Sequence, residues 1–273
     1  MVLFGACTCR DEGSEARGDL RQPQKPEDGT KASGEADKGN VVRAVAKEEL
    51  PVVSELPPPK PGMVWAEGTI NNLAGRQFRP HKIDVEVCVF EQGDLPCVKT
   101  NERGGFAIQV PKHSEVALLF RSDKLIPTIR PFLTGDGPVQ LGNSRVANLK
   151  GVKGVAELMG KEYHEDEGVV FIGGVEGVTA QVIGQKPPSF FLDRADVMDS
   201  EATSMPMHGS GGFFNVKPGM ARLRFSLADG KCFFRKDNIL SGWPDPAQRD
   251  VARVPIRPGH YTHMISMLCE KSQ

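Results

Sequence analysis

The chain has 273 residues, with 34 Lys+Arg against 35 Asp+Glu, and a formal net charge of −1. Glycine (30) and proline (21) make up near a fifth of it, while aromatic residues are only 7%. Balanced charge gives no long-range field to draw nucleic acid, no run approaches the roughly 20 apolar residues of a membrane helix, and the Gly/Pro-rich, Trp- and Tyr-poor composition excludes a helical bundle.

Residues 1–9 read MVLFGACTC. Leu3-Phe4-Gly5-Ala6-Cys7 places apolar residues and two small ones before a cysteine, and it resembles the lipobox of bacterial lipoproteins. The resemblance implies that Cys7 is lipidated and that the chain meets a membrane through that anchor. No basic segment or long apolar stretch precedes it, so two readings stand. Either the start codon is set too far downstream, or this is an ordinary cytosolic N-terminus with two chance cysteines.

Residues 10–62 mix both charges with Gly, Pro, Gln and Ser and show no lasting apolar periodicity. Such a segment buries too little apolar surface to offset about 1–2 kcal/mol of backbone entropy per residue. Pro51, Pro57, Pro58, Pro59 and Pro61 favour an extended spacer. The expectation is a disordered tether.

A repeat follows. Gly104-Gly105-Phe106, Pro111, then Val116, Leu118 and Phe120 form one series. Gly211-Gly212-Phe213, Pro218, then Leu223, Phe225 and Leu227 form another, at a constant offset of 107 residues. Upstream, Glu67-Gly68 and Glu176-Gly177 stand in similar places. Two tandem copies are expected, over 63–166 and 167–273. Within the first, Ile83, Val85, Val87 and Val89 alternate with polar neighbours, the period of a half-buried strand. Gln92-Gly93-Asp94 turns the chain and Cys97–Thr100 returns it. Phe106, Ile108 and Val110 mark the next strand, and Val116, Leu118 and Phe120 the one after. Val152–Tyr163 spaces its apolar residues as a short helix, Val169–Ile172 opens the second copy, and Thr262–Cys269 reads as one final strand.

The order of a V-x-V-x-V strand, a polar turn into G-G-F-x-I/V, a proline and an alternating strand resembles the carboxypeptidase regulatory-like domain. It covers about residues 64–135 well and 168–230 more loosely. The resemblance implies an all-β fold of two tandem transthyretin-like (prealbumin-like) antiparallel β-sandwiches, each of about seven strands. It also implies a non-catalytic accessory module of the cell envelope.

Of the six cysteines, Cys88 and Cys97 flank a hairpin turn and Cys232 and Cys269 are the second copy's own. One disulfide per copy suits an oxidising compartment. Free buried thiols throughout, in a cytosolic protein, are the alternative. No cysteine or histidine spacing indicates zinc.

The leading expectation is a non-enzymatic, lipid-anchored envelope protein without cofactor, at the outer membrane or cell surface, whose partner is another envelope protein or a polysaccharide. A diverged metal-dependent enzyme is the second reading. His260-Tyr261-Thr262-His263 after Arg257-Pro258-Gly259 faintly resembles the iron-ligand segment of intradiol dioxygenases, although strand positions i and i+3 face opposite ways. His164-Glu165-Asp166-Glu167 reads as a solvated acidic linker. A carbohydrate-binding module is the third reading, with Trp243 as the candidate ligand surface and Trp65 the weaker one.

Overall fold

The structure is a computed structural model describing residues 56–72, 84–174, 176–192, 198–199, 202–206, 209–234 and 240–271. All belong to one compact unit, Glu48–Gln273. Cys7 and the tether up to residue 55 lie outside the described residues.

Period-2 burial builds the first lobe. Its strands are β1 (Met63–Asn72), β2 (Glu86–Val89), β3 (Val98–Lys99), β4 (Gly105–Pro111), β5 (Glu115–Arg121), β6 (Thr128–Leu133) and β7 (Val139–Val146). β1 is central in a small sheet, antiparallel to β4 and parallel to β7. β3, β2, β5 and β6 run in that order in a facing layer. Val64, Ile108, Val110, Leu118, Phe120 and Phe132 fill the space between, where the rings of Phe106 and Phe120 meet edge-on at 5.4 Å. Gly104 takes φ of 77° in the turn before β4, a conformation open to glycine at no steric cost.

Helix α1 (Leu149–Leu158) closes this lobe. It begins three residues before the expected Val152 because Asn148 caps it, its side chain accepting from the Gly151 N–H. It stops well short of Tyr163 because Gly160 takes φ of 62° and Lys161 N–H turns back to Ala156 O.

The second lobe comprises β8 (Gly168–Gly173), β9 (Val178–Val182), β10 (Ser189–Leu192), β11 (Ser210–Val216), β12 (Gly219–Leu227), β13 (Gly230–Phe233), β14 (Trp243–Pro244), β15 (Val251–Ile256), β16 (Tyr261–Ile265) and β17 (Leu268–Lys271). The first lobe's wiring recurs. β8 is central, antiparallel to β11 and parallel to β16, as β1 is to β4 and β7. β12 lies between β9 and β15, as β5 lies between β2 and β6. Both Gly-Gly-Phe series fall on equivalent strands. At Gly212 the approach of β8 is so close that an added Cβ would collide with Val170 O. The Glu-Gly pairs are not equivalent: Gly68 is inside β1, whereas Gly177 is in the turn before β9. The expected final strand is two strands, because the chain changes sheets at Ser266 and Met267 to bring Cys269 opposite Cys232.

The two lobes share a sheet. β16 pairs in parallel with β8 on one side and with β6 on the other, giving one eight-stranded sheet ordered β10-β11-β8-β16-β6-β5-β2-β3. The sheet β4-β1-β7 covers one face at the first lobe's end, and β14-β15-β12-β9 covers the opposite face at the other. Val152 and Ala156 of α1 pack on Val169, Phe171 and Phe214 of the second lobe. Trp243 of the second lobe packs on Ala117 and Ile129 of the first.

That docking fixes two expectations. Trp243→Ala should lose about 3–5 kcal/mol of stability by urea denaturation, and a loss under about 1 kcal/mol would show the peg to be dispensable. Non-reducing peptide mapping of protein made in an oxidising compartment should recover Cys88 linked to Cys97 and Cys232 linked to Cys269, with no other pairing among the four.

Candidate functional site

Charge inside a sheet covered on both faces is the feature that asks for an explanation. It lies at the seam between the lobes. The parallel register Tyr261↔Thr128 and Thr262↔Ile129 carries on to set His263 of β16 beside Arg130 of β6, and His263↔Phe171 extends the row onto β8. Arg130 is fully buried and His263 is 2% exposed. Arg130 Nη1 donates to His263 Nδ1 at 2.7 Å and sits 3.2 Å from Nε2. The Arg145 backbone N–H, from β7, also donates to Nδ1, at 3.1 Å. An amide can only donate, so Nδ1 is the bare nitrogen and the ring proton is on Nε2.

Aromatic rings enclose the row. Phe171 lies 5.6 Å from the His263 ring and 5.7 Å from that of Tyr261. The Arg145 guanidinium stands over the Phe171 face at 5.3 Å. Burial, then the charges of Arg130 and Arg145, push the His263 pKa well below the ordinary 6.5. Burial lowers Arg130 to about 10, so it stays a cation at neutral pH. This is a neutral imidazole in a cationic neighbourhood.

The seam does not assemble the expected metal ligands. His263 Nδ1 is committed to two donors beside two guanidinium groups, which oppose a metal cation. His260 is on the turn before β16, where its Nδ1 donates to Pro258 O at 2.7 Å. Tyr261 is buried against Phe171. Arg130 and Arg145 escaped the sequence reading. The signal was a lone arginine inside the apolar run Thr128–Leu133.

Trp243 is not a ligand platform. It is 9% exposed, and its indole N–H is shared between Val116 O (3.1 Å) and Phe132 O (3.2 Å) on the first lobe. Asp245 secures the loop, accepting from Arg222 Nε at 2.7 Å and from the Ala247 and Gln248 amides. The tryptophan nearer the surface is Trp65, which donates to Pro57 O at 2.9 Å. With Lys60 N–H on Gln109 Oε1 and Lys112 N–H on Gly62 O, it lays residues 57–62 along β1 and β4. The last stretch of the expected tether is therefore docked.

Both expected disulfides are present, Cys88–Cys97 across the first hairpin and Cys232–Cys269 across β13 and β17. Glu86 lies near Cys88 and Cys97, but sulfurs joined to each other are no metal ligands. The second disulfide spans 37 residues against 9 for the first, so on chain-entropy grounds it restrains the unfolded chain by about 1 kcal/mol more.

One surface cleft of about 500 Å³ is lined by Lys161, Lys186, Lys217, Glu162, Pro187 and Asn215, among others. Asn215 takes φ of 55° at the bulge in β11. Its side chain accepts from the His164 N–H at 3.0 Å and donates to Glu162 O at 2.8 Å, tying the rim together. Within the described residues, none of the three lysines pairs with a carboxylate.

Because native His263 holds back its proton, the unfolded chain binds more protons below pH 6.5. Stability contributed by the seam is complete above that pH. It falls by up to ~1.4 kcal/mol per unit as pH drops further, until the folded pKa is reached. Urea melts from pH 7.5 to 5 on wild type and His263→Gln, which keeps an acceptor, should differ in slope by about one proton. Parallel slopes would contradict it.

No family model matches the chain, and no curated protein matches it. Among solved structures, the Bacillus anthracis TIE protein aligns at 10% identity and TM-score 0.23, over 76% of this chain and 34% of that one. A streptococcal ancillary pilin aligns at 7% and 0.22, over 76% and 63%. The minor pilin of Streptococcus agalactiae aligns at 9% and 0.18, over 76% and 99%. The chain spans about a third of the first structure's length and under two thirds of the second's.

Proposed function

We propose that this chain is a non-enzymatic, lipid-anchored envelope protein that presents two transthyretin-like lobes of the carboxypeptidase regulatory-like type. The observation that carries the reading is the pair of disulfides, each joining cysteines of neighbouring strands within one lobe. Bonds of this kind persist outside the reducing cytosol. The recurrence of one wiring plan in both lobes supports tandem copies of a single module. No helix among the described residues is long and apolar enough to cross a membrane, and lipid on Cys7 would supply attachment. The composition of the residues after Cys7 would make them a spacer.

The lysine-lined cleft is the best surface for a partner, and its charge favours an anionic polysaccharide of the envelope over another envelope protein.

Expressed from its own gene with its upstream sequence, the protein should incorporate labelled fatty acid, and Cys7→Ser should abolish the label and release the protein from membranes. A wild-type protein that takes up no label, with four free thiols, would establish the cytosolic alternative. Lys186→Glu with Lys217→Glu should weaken retention on an immobilised uronic-acid polysaccharide at least tenfold. Retention equal to wild type would remove the cleft from consideration.

A further inference from the structure

The register of the first hairpin gathers a group of reactive side chains away from the seam. Val87 and Val89 belong to the first lobe's core, so Glu86 and Cys88 share the opposite face of β2. Arg121 of β5 stands directly across from Glu86 and diagonally from Cys88. Its Nη2 donates to Glu86 Oε2 at 2.7 Å and reaches Cys88 Sγ at 3.2 Å, whereas Cys97 Sγ is 4.0 Å away. The two sulfurs of the disulfide also differ in access. Cys88 is 6% exposed, and Cys97, which precedes β3, is open to solvent.

Thiol–disulfide exchange is sensitive to this asymmetry. An external thiolate attacks the sulfur it can reach, and exchange is faster the better the departing sulfur carries negative charge. A guanidinium against a sulfur favours its thiolate. Glu86 shares the cation and pins it beside the disulfide, and a guanidinium has five N–H donors with which to serve two anions. The other disulfide is built differently. Cys232 and Cys269 pack into the second lobe's apolar core, and Cys269 Sγ faces the Met267 carbonyl oxygen at 3.6 Å, which disfavours a thiolate. Cys88–Cys97 also closes the shorter loop, 9 residues against 37, so opening it frees less of the unfolded chain.

We propose that Cys88–Cys97 is a thiol-exchange site, in which Cys97 Sγ takes an incoming thiol and Cys88 Sγ departs as a thiolate received by Arg121. In the first step a thiolate RS⁻ bonds to Cys97 Sγ. The bond between Cys97 and Cys88 breaks, and its electron pair goes to Cys88 Sγ. A mixed disulfide on Cys97 results. In the second step another RS⁻ attacks the R-bearing sulfur of that mixed disulfide, giving RSSR and a Cys97 thiolate that takes a proton from water. Two external thiols are thereby oxidised to one disulfide, and the hairpin disulfide is reduced. The co-reactant is a thiol, carried by a small molecule or by another protein. The site rests on the disulfide in the structure and not on a lipid anchor.

The test holds the oxidised full chain in 2-mercaptoethanol near neutral pH, quenches it at intervals with N-ethylmaleimide and maps the peptides by mass spectrometry. Cys88–Cys97 should open about tenfold faster than Cys232–Cys269, and 2-mercaptoethanol should be trapped on Cys97. Arg121 is half exposed, so Arg121→Gln leaves the core untouched. It should slow opening of the first disulfide about tenfold without altering the second, and Arg121→Lys should restore part of the rate. Reduced thioredoxin at the same thiol concentration tells a protein source of the thiol from a small one by which opens the bond faster. Equal rates for the two disulfides, an adduct on Cys88, or an Arg121→Gln rate equal to wild type would overturn the proposal.

Discussion

The hydrogen-bonding needs of β16 organise the described fold. A strand in the middle of a sheet must satisfy N–H and C=O groups along both edges, and an unpaired row there is costly. β16 comes from the second lobe, but only one of its neighbours, β8, belongs to that lobe. The other is β6 of the first. Because both pairings are parallel, β16 runs in the same direction as β6 and β8, and the order of the two lobes along the sheet follows. Helix α1 and Trp243 then reinforce the joint from opposite faces, each crossing into the lobe it does not come from.

Placing a joint in the middle of a sheet makes its polar groups deeply buried. Arg130 and His263 come from different lobes and bond to each other, with an amide of β7 also on the imidazole and the Phe171 ring and Arg145 guanidinium close by. The pair therefore works as a conditional fastener. It needs an uncharged imidazole, so a proton on His263 would loosen the joint between the lobes. The surface ion pairs, such as Arg121–Glu86 and Lys153–Glu165, are about half exposed and contribute little by comparison.

Most strands were legible in the sequence, because half-buried strands announce themselves by alternation: Phe106, Ile108 and Val110 do so in β4, and Val116, Leu118 and Phe120 in β5. The Gly-Gly-Phe repeat was legible because glycine is required where β11 approaches β8. The cysteine pairs were legible from their placement. Trp243 was misread because a tryptophan between Gly and Pro resembles a surface loop, whereas its pocket is formed by residues more than a hundred positions earlier. Arg130 was passed over for the same reason. Its partner is 133 residues away, and no local period records a contact made at that range. Helix α1 was placed late because its first turn is set by the Asn148 cap and not by apolar spacing.

The wiring shared by the lobes has a consequence for assembly. The joint is head-to-tail: β16 of one copy pairs with the edge of a non-equivalent strand, β6, in the other. Joints of that type build closed rings where their rotation closes and open filaments where it does not. In the second lobe the edge that corresponds to β6 belongs to β15, and β14 already occupies it, pairing Trp243 with Arg253 and Pro244 with Ala252. Pro244 has no N–H to offer an incoming strand. The same short strand that carries Trp243 into the first lobe thus also covers the edge on which a further unit would dock in the same way.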